Sequence, residues 1–488
     1  MKRWSFFFLS ICRRILAVRH MNNVKRNVAE RGWIVKRIAV VGSGISGLGA
    51  AHALQECHCD VIVFERERTV GGRMQTHTSQ GFCWEPASQF LLDRYVTVRA
   101  LMKELKLSSA PDAINSTMGV FLPPKSMFYF DMNNPFSVFQ HPRLSSSAKL
   151  KQIKLFLQTL WHWNNLDFPW MRRVRKLDTD ENLRTVGDRE YGADAVDYFL
   201  SLPSSNMFLW RPEETPWWMA MMFLKMMFGT KMRLPVGGMG AVTKELARRL
   251  DVRTGHVVQR IEMTPEGKVT LSIVGPSGIS SLTVDRVVIA TPAPAALKIL
   301  HNPDEALGKL RANFLRTAKY TRVMTTAVGY GSLLEKRAYG IFIPQKTNLG
   351  LSAIAWEHQK MKGRAPFGRG LGVMNTTDDF ARQNWSQSDD EVAHKVISLA
   401  ESIYPDSKRV VSFHKVHRYP YATPIMAPTR SRTVYEAVKE GAKPGSPVFT
   451  CGDYWLGPNV EQALITGYRA AREVLQSLDA PVPDKLHI

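Results

Sequence analysis

Three glycines spaced as Gly42-x-Gly44-x-x-Gly47 follow the apolar run Ile38–Val41, and the acid Glu65 ends a second apolar run 21 positions past Gly44. In a strand–loop–helix setting, such glycines make a tight turn, admit a pyrophosphate close to the backbone and let the helix pack on the strand. The helix N-terminus also offers unpaired N–H groups to phosphates. Because a carboxylate after the second strand would bond ribose hydroxyls and repel a 2′-phosphate, the pattern predicts a dinucleotide other than NADP.

A second element, Gly71-Gly72-Arg73, comes directly after the second predicted strand. In dehydrogenases that bind NAD, such an element has no general role at this position. Flavoproteins that hold FAD in an extended pose do, because the glycines admit the backbone near the diphosphate and the arginine supplies positive charge. The two elements together favour FAD over NAD.

Neither a Ser-His-Asp set nor a cluster with metal-ligand spacing is apparent. The cysteines (Cys12, Cys57, Cys59, Cys83 and Cys451) are scattered, and Cys57-His58-Cys59 lacks a second ligand pair. We therefore expect no metal site and no disulfide framework, which fits a reducing compartment. Flavin chemistry is compatible with this, because FAD itself accepts hydride and the protein supplies binding, orientation and exclusion of water.

The elements that must position these residues follow from hydrophobic patterning. It predicts helices over Leu48–Leu54, Ala241–Leu250, 389–403 and Gly467–Leu475. It predicts strands over Val252–Ile261, Val269–Ile273 and Leu282–Ile289, and strands of a mixed sheet within 317–330 and 338–356. At 488 residues the chain is too long for one ordinary core, so two interleaved domains are expected.

The formal charge of +22 is uneven, since residues 1–37 hold ten lysines and arginines against the single acid Glu30. No nucleic-acid recognition module accompanies it, so we expect no nucleic-acid partner and consider an anionic membrane surface or an acidic substrate. The apolar stretch Trp4–Cys12 is too short to span a bilayer and no cleavage site follows it. We interpret 1–36 as a flexible extension, either a transit peptide or upstream sequence with Met21 as the start. A cytoplasmic or organellar location without a transmembrane span is expected.

The stretch 95–232 is rich in aromatic, methionine and basic residues. On one predicted helix, the apolar face collects Leu150, Ile153, Leu157, Leu160 and Trp161, with Lys149, Lys151 and Lys154 beside it. Further basic and aromatic residues follow at Trp163, Trp170, Arg172, Arg173, Arg175 and Lys176. This pattern suits a peripheral membrane surface, and a helix with its apolar face in the core would show it too. The later run Met207–Phe228 fits either core packing or an apolar substrate pocket.

Several sequence motifs, taken in order along the chain, resemble those of the FAD-dependent amine oxidase, protoporphyrinogen oxidase and phytoene desaturase superfamily. They are Gly42–Gly47 with Glu65, Gly71–Arg73, Gly81–Gln89, Pro235–Gly238, Val252–Ile261, Val287–Pro292 and Gly452-Asp453. The resemblance implies an α/β fold, in which a Rossmann-like FAD-binding domain with a parallel sheet and helices is interleaved with an α+β substrate domain on a mixed sheet. It implies FAD-binding parts at 37–94, 233–300 and 426–488, a helical substrate- or membrane-facing region at 95–232, and a substrate-domain sheet at 301–425.

The resemblance also implies contacts with FAD for Gly42, Ser43, Gly44, Ser46, Gly47, Glu65, Gly72, Arg73, Gln89, Val258, Gly452, Asp453 and Val460. The loop glycines and Arg73 would hold the diphosphate, Glu65 the adenosine ribose, and the backbone of Val258 the adenine. Gln89 would lie beside the isoalloxazine, and Asp453 would bind the ribityl chain or diphosphate. The backbone at Val460 would face the pyrimidine edge, where a helix N-terminus suits the negative charge of the reduced flavin.

One difference from the amine oxidase pattern distinguishes between the branches of this superfamily. Amine oxidases carry a lysine on a substrate-domain strand that holds a water near the flavin, and the nearest alignment puts Met324 there. Lys319 lies five positions upstream, which places it on the opposite face of a strand. This departure favours the desaturase and protoporphyrinogen oxidase branch, which Gly452–Tyr454 and Asn459–Ala463 also resemble.

No catalytic residue is determined at this stage, and the candidates are Gln89, His417, Arg418 and Tyr421. The segment His417–Pro424 resembles a family segment near the flavin. His417 and Tyr421 would orient substrate or pack in the core, and Arg418 would pair with a substrate carboxylate or serve the fold.

We therefore expect an FAD-dependent oxidoreductase that removes hydride from a small apolar substrate, polyene-like or porphyrinogen-like, that can partition into membranes. A flavin amine oxidase and a flavin-binding protein without catalysis are the alternatives. Substrate identity, the electron acceptor after FAD and the oligomeric state stay open.

Overall fold

The computed structural model describes residues 35–166, 171, 173–227, 229–405 and 407–486. The expectations for most of the extension 1–36, and for Trp170, Arg172 and Phe228, lie outside these residues.

The strands, in chain order, are β1 (Arg37–Val41), β2 (Asp60–Glu65), β3 (His77–Ser79), β4 (Phe82–Trp84), β5 (Leu91–Leu92), β6 (Thr117–Leu122), β7 (Ser126–Asp131), β8 (Met232–Arg233), β9 (Asp251–Thr254), β10 (Val257–Met263), β11 (Val269–Gly275), β12 (Gly278–Val284), β13 (Arg286–Ile289), β14 (Val323–Tyr330), β15 (Gly340–Phe342), β16 (Leu351–Trp356), β17 (Gly370–Thr376), β18 (Val411–Tyr419) and β19 (Val448–Thr450).

The α-helices, in chain order, are α1 (Ile45–Glu56), α2 (Val96–Glu104), α3 (Ser146–Trp161), α4 (Leu183–Tyr191), α5 (Ala193–Ala195), α6 (Trp218–Met227), α7 (Gly240–Arg249), α8 (Ala293–Ile299), α9 (Pro303–Leu307), α10 (Lys309–Arg316), α11 (Glu357–Lys360), α12 (Asp378–Gln383), α13 (Asp389–Glu401), α14 (Arg430–Glu440) and α15 (Val460–Gln476). Two π-helical turns, Val196–Leu200 and Pro203–Met207, follow α5.

A parallel sheet in the order β19-β13-β1-β2-β9 carries the glycine loop, Gly42–Gly47, at the end of β1. Its strands are continuous apolar runs because both faces are covered: Ala39 and Val41 join one buried cluster, while Ile38 and Val40 join another. β1 lies between β2 and β13, so the first crossover leads to one side of β1 and a strand from much later in the chain joins its other side. Open α/β sheets bind ligands at the carboxyl ends of the strands beside such a switch point.

A mixed sheet of seven strands, in the order β18-β14-β17-β16-β15-β6-β7, forms the second layer system. β15 and β6 are parallel, and the other neighbours are antiparallel. One face packs on α13 and the other on Phe82 and Trp84 of β4. The predicted fold class, a parallel nucleotide-binding sheet interleaved with a mixed substrate sheet, is confirmed. Within the described ranges, no helix has the length and apolar character needed to cross a bilayer.

Two predicted strands are each divided in the structure. Val252–Ile261 turns at Gly255, whose φ is +68°, so that β9 joins the parallel sheet and β10 joins a three-stranded antiparallel sheet. Leu282–Ile289 divides at Asp285 into β12 and β13, which belong to these same two sheets. The apolar residues on either side of each turn predict one continuous strand, although Gly255 and the charged pair Asp285-Arg286 mark the two breaks. The region 95–232, expected to be helical, also supplies β6 and β7 to the mixed sheet.

The first and last long helices, α1 and α15, cross in direct backbone contact. A Cβ on Gly467 would lie 2.2 Å from the carbonyl oxygen of Ser46, and a Cβ on Gly49 would lie 2.4 Å from Cδ1 of Leu464. Each helix begins shortly after the carboxyl end of a parallel strand, α1 after β1 and α15 after β19. The crossing therefore holds two helix N-termini at the same edge of the sheet.

We expect G467A to lower the free energy of unfolding by about 1–3 kcal/mol, because the added methyl group would collide with backbone that cannot move alone. G331A is the matched control, since a Cβ there would meet only the Val410 carbonyl oxygen, at 3.6 Å. Denaturant unfolding of both variants measures the difference, and equal losses would contradict the close crossing.

Candidate functional site

The loop after β1 brings bare backbone against the neighbouring strand and leaves one position open. Gly42 has a φ of +107°, and a Cβ there would lie 3.1 Å from the carbonyl oxygen of Ala290. A Cβ on Gly47 would lie 2.1 Å from the carbonyl oxygen of Gly42, whereas a Cβ on Gly44 would meet nothing within 4 Å. Gly44 is also the N-cap of α1 and supplies no side-chain cap. The open space thus adjoins helix N–H groups that lack side-chain partners, which suits a phosphate.

Glu65 and Ser43 are bonded to each other at this edge. The backbone N–H and the hydroxyl of Ser43 both donate to Oε2 of Glu65, at 2.8 and 2.7 Å, and the N–H of Glu67 donates to Oε1 at 2.9 Å. The carboxylate keeps lone pairs for further donors such as ribose hydroxyls. Glu65, at the end of β2, therefore lies beside the glycine loop and also holds it in place through these hydrogen bonds.

The Gly71-Gly72-Arg73 element lies on the glycine loop. The N–H of Gly71 donates to the carbonyl oxygen of Ser43 at 2.9 Å, and a Cβ on Gly72 would be only 3.6 Å from Cα of Gly44. The guanidinium of Arg73 donates to both carboxylate oxygens of Asp453, at 2.7 and 2.9 Å, and to the carbonyl oxygen of Ala422 at 2.7 Å. Two residues 380 positions apart thus form one bidentate pair.

The start of α15 completes this edge. Asn459 caps the helix, accepting from the N–H of Gln462 at 2.9 Å, so Val460 is its first residue. Gly452 donates its N–H to the hydroxyl of Thr466 at 3.0 Å, which fixes the loop before the helix. Ser46 on α1 and Cys451 are both buried beside this crossing. Burial raises the pKa of the Cys451 thiol to about 12, so it is not a thiolate at neutral pH.

Val258 lies on β10 beside the outer end of the site. The turn that precedes it donates twice to the segment after β2, from the N–H of His256 to the carbonyl oxygen of Glu65 at 2.8 Å and from Gly255 to Glu67 at 3.0 Å. A β-bulge follows Val258, between it and Arg260. The structure therefore brings the residues predicted for ribose and adenine close together.

Gln89 belongs to a buried charge cluster that sequence reasoning missed. Its Oε1 accepts from Nζ of Lys360 at 3.0 Å, and the same Nζ donates to Glu85 at 2.6 Å and to Glu357 at 3.1 Å. The guanidinium of Arg364 donates to both glutamates. Lys360, Glu85 and Glu357 have fully buried side chains. Glu85 stood within the predicted Gly81–Gln89 element, but its partners Lys360 and Arg364 come 275 and 279 positions later and carry no local pattern of their own.

The carboxylates of this cluster respond differently to burial. Burial alone would raise the pKa of Glu85, but Lys360 and Arg364 overcome it and the pKa is lowered. Burial raises the pKa of Glu357 despite the same two cations. The side chain of Gln89 is therefore oriented by a buried cluster of opposite charges and not by solvent.

His417 lies on β18 in an aromatic cluster. Nε1 of Trp84 donates to Nε2 of His417 at 3.1 Å, and the His77 ring lies 4.7 Å away in an edge contact. An acceptor Nε2 requires the neutral ring, with the proton on Nδ1. Burial, followed by His77 and Lys415, lowers the pKa of His417 to about 4. His417 is therefore neutral at physiological pH.

The other candidates on this segment point elsewhere. Arg418 projects from the opposite face of β18, where its guanidinium donates to Asp389 at 2.7 Å and to the carbonyl oxygens of Trp385 and Gln387. Tyr421 is half exposed, and its ring meets Tyr320 edge-on at 5.5 Å. The structure thus leaves the Arg73–Asp453 pair and Gln89 partly buried and places Arg418 against α13.

Met324 likewise packs away from this face, in the buried cluster that includes α13. The residue of β14 paired with His417 is Thr325, whose hydroxyl donates to Asn375 at 3.0 Å. Position 324 is therefore a core position, and the side of the sheet that faces Trp84 carries a threonine at this level.

A cavity of about 480 Å³ adjoins Phe90, the residue that follows Gln89. Phe90 contributes to its wall, and Phe208, also in the wall, accepts a hydrogen bond from Thr423 of the His417–Pro424 segment. The lining comes from α3, α6, both π-helical turns and the strands around them, and its polar members among the described residues are Ser116, Asn133, Asn134, Ser137, Gln152 and Thr230. No charged side chain belongs to this described lining. The described part of the Met207–Phe228 run forms a pocket wall as well as core.

The sequence profile of the family described as flavin containing amine oxidoreductase matches residues 45–475. The chain belongs to this family. It is a flavin oxidoreductase and, like the members of its family, binds FAD.

The individual proteins to which this chain is similar share a low sequence identity with it. Protoporphyrinogen oxidase 2, chloroplastic/mitochondrial, of Arabidopsis thaliana is 25% identical over 168 residues, which are 34% of this chain and 31% of that protein. The match thus spans about a third of that relative's length. A triple mutant of putrescine oxidase superposes with a TM-score of 0.71 at 17% identity, over 90% of this chain and 99% of that one. Cyclohexylamine oxidase from Brevibacterium oxydans IH-35A gives 0.69 at 17%, over 91% and 100%. At such identities the two structures show a shared fold.

For this flavin oxidoreductase, we expect G44A to fold normally yet to contain at least about tenfold less FAD at equal free flavin, because the methyl group would occupy the open space at the helix N-terminus. The comparison variant G47A would clash at 2.1 Å with Gly42 and should lose stability as well. The flavin-to-protein absorbance ratio and thermal unfolding of the apoproteins separate the two effects. A fully flavinated G44A would contradict the assignment.

The lowered pKa of His417 predicts that the free energy of unfolding falls at acidic pH. Its pKa is lowered in the folded state, so the neutral ring contributes stability that is complete above the unfolded pKa of about 6.5 and is lost as the pH falls toward 4. Between pH 7 and 5 this group should cost the wild type up to about 2 kcal/mol of unfolding free energy. H417Q, which keeps an acceptor for Trp84, should show a correspondingly shallower loss in denaturant unfolding. An unchanged pH dependence would show that His417 titrates normally.

Proposed function

We propose that the chain is an FAD-dependent dehydrogenase or oxidase that removes hydride from an uncharged, extended apolar molecule of the polyene type. The observation that carries this proposal is the cavity that adjoins Phe90, whose described lining is mostly apolar and carries no charged side chain. Its volume of about 480 Å³ is in the range of small-molecule sites.

The carboxyl edge of the parallel sheet fits FAD. We propose that the space at Gly44 and the N-terminus of α1 receive the diphosphate, with Arg73 and Asp453 on its other side. Glu65 would bond the adenosine ribose, and the backbone of Val258 would meet the adenine. Thr291, which follows β13 at this edge, has a buried hydroxyl without a partner among the described residues. FAD, when bound, supplies the hydride acceptor.

The protein's own contribution is orientation and exclusion of water. The α15 N-terminus at Val460 offers a positive dipole end to negative charge that develops on the cofactor. Gln89 is held by Lys360, and the residue that follows it, Phe90, lines the cavity. His417 is neutral and bonded to Trp84, which makes it a wall residue of this region rather than a general acid.

Charge separates the candidate substrates. A porphyrinogen brings carboxylates, and an amine substrate brings an ammonium group, and burying either without a partner is costly. Arg418, the sequence candidate for a substrate carboxylate, is bonded to Asp389 on the far face of β18. Position 324 carries methionine where amine oxidases carry lysine, and its side chain lies in the core. A porphyrinogen is the second candidate, favoured by the similarity to a protoporphyrinogen oxidase.

The proposal is tested by anaerobic flavin bleaching with detergent-dispersed polyenes, porphyrinogens and simple amines. We expect polyenes to reduce the flavin fastest. Bleaching by porphyrinogens alone would establish the second candidate, and bleaching by amines alone would overturn the proposal.

A cavity-filling variant gives an independent check. A220W adds an indole to the wall formed by α6, so reduction by the preferred substrate should slow at least about tenfold while FAD content stays unchanged. V96W, at a residue of α2 that is 73% exposed, is the control and should reduce at the wild-type rate. Equal rates for A220W and V96W would show that the substrate does not use this cavity.

A further inference from the structure

The helix α3 is built with its more apolar face outward. Its inner face includes two polar side chains, Gln152 and Thr159, which bond to carbonyl oxygens of their own helix, at 3.4 and 2.8 Å. The outer face carries an apolar row, which we call the α3 stripe, composed of Leu150, Ile153, Leu157, Leu160 and Trp161. All five are exposed, Leu150 by 65%, Leu157 by 58% and Trp161 by 84%. A helix serving only the core would show the opposite arrangement.

The stripe is bordered by positive charge. At roughly 100° per residue, Lys149 lies along one side of it and Lys151 and Lys154 lie along the other. The helix carries no acid. Lys154 pairs with Glu190 of α4 at 2.9 Å, and Lys149 and Lys151 add their charges to the same face. An apolar row between lysines is complementary to a lipid surface with anionic headgroups.

The stripe is continuous with the cavity mouth. Ile153 and Leu157 belong both to the stripe and to the cavity lining, and Phe136, 69% exposed, lies on the rim. The cavity runs inward from there to Phe90, the neighbour of Gln89. A second copy of the chain would bring two acid-free lysine helices face to face and would cover the opening, so a lipid surface fits better.

We propose that the α3 stripe docks on the surface of an anionic lipid bilayer, so that the cavity mouth meets the hydrocarbon and an apolar molecule enters without crossing water. The entry of substrate rests on the proposed function, whereas the docking itself does not.

Flotation of the full-length holoprotein tests the docking. The probes are vesicles of phosphatidylcholine containing phosphatidylglycerol, compared with vesicles of phosphatidylcholine alone. The quadruple variant L150Q/I153Q/L157Q/L160Q should bind the anionic vesicles at least about tenfold more weakly than the wild type, because the stripe supplies the buried apolar area. I279Q, at an exposed apolar residue of β12 that is 83% exposed, should bind like the wild type.

A charge-reversal pair keeps the test independent of folding defects. K149E/K151E should weaken binding to anionic vesicles severalfold, with the effect reduced at high salt. K268E/K298E makes the same change in net charge at exposed lysines elsewhere and should have a smaller effect. All variants share the basic residues 1–36, so any binding through that segment is common to them. Full binding by both the quadruple variant and K149E/K151E would overturn the proposal, as would a concentration-dependent dimer that the quadruple variant abolishes.

Flavin bleaching separates this inference from the proposed function. Vesicle binding through the stripe, without bleaching by any apolar substrate, would support the docking and defeat the proposed function. Bleaching by detergent-dispersed polyenes, without binding to either vesicle, would support the proposed function and defeat the docking.

Discussion

The rest of the structure depends on the close crossing of α1 and α15, where glycines let two backbones touch. Gly467 lies against Ser46 and Gly49 lies against Leu464, so neither helix can shift without collision. This contact joins the first βαβ unit to the last helix of the family match. It also brings the two N-termini to the carboxyl edge of the parallel sheet, where we propose that their positive dipole ends face FAD.

Charge at this edge is organised in pairs rather than left to solvent. Arg73 and Asp453 bridge the chain's two ends, and Glu65 holds the glycine loop through Ser43. Further in, two glutamates and two cations around Gln89 neutralise one another in full burial. Breaking one member would leave a buried charge unpaired, which costs far more than a surface ion pair contributes. These groups therefore make the polar wall of the site rigid.

The opposite side of the site has no such charges. The described cavity lining is apolar, and the helix that borders its mouth turns an apolar row outward between lysines. The paired charges thus belong to other segments than the cavity, which is built largely from the long insertion between β5 and β8. The contrast between the two walls is what favours an uncharged substrate.

Much of the nucleotide edge could be predicted from sequence, because glycine spacing and apolar strands are local: the starts of α1 and α15 lie where Gly42–Gly47 and Asn459–Val460 place them. The turn at Gly255 was missed because the valines on both sides of the stretch Arg253–His256 predict a single strand. The Lys360 cluster was missed because its members are far apart in the chain and each looks like an ordinary surface charge. The periodicity of α3 predicted a one-sided helix but not which side faces water.

The sequence by itself determined the family, the FAD fingerprint and the α/β order of elements, since these depend on backbone conformation and short-range periodicity. Only the tertiary structure decided which side chains share a site. It paired Arg73 with Asp453, turned Arg418 toward Asp389, put Met324 into the core and left the α3 stripe exposed. The physical reason is that burial and charge pairing are set by neighbours from distant segments, which a local pattern cannot specify.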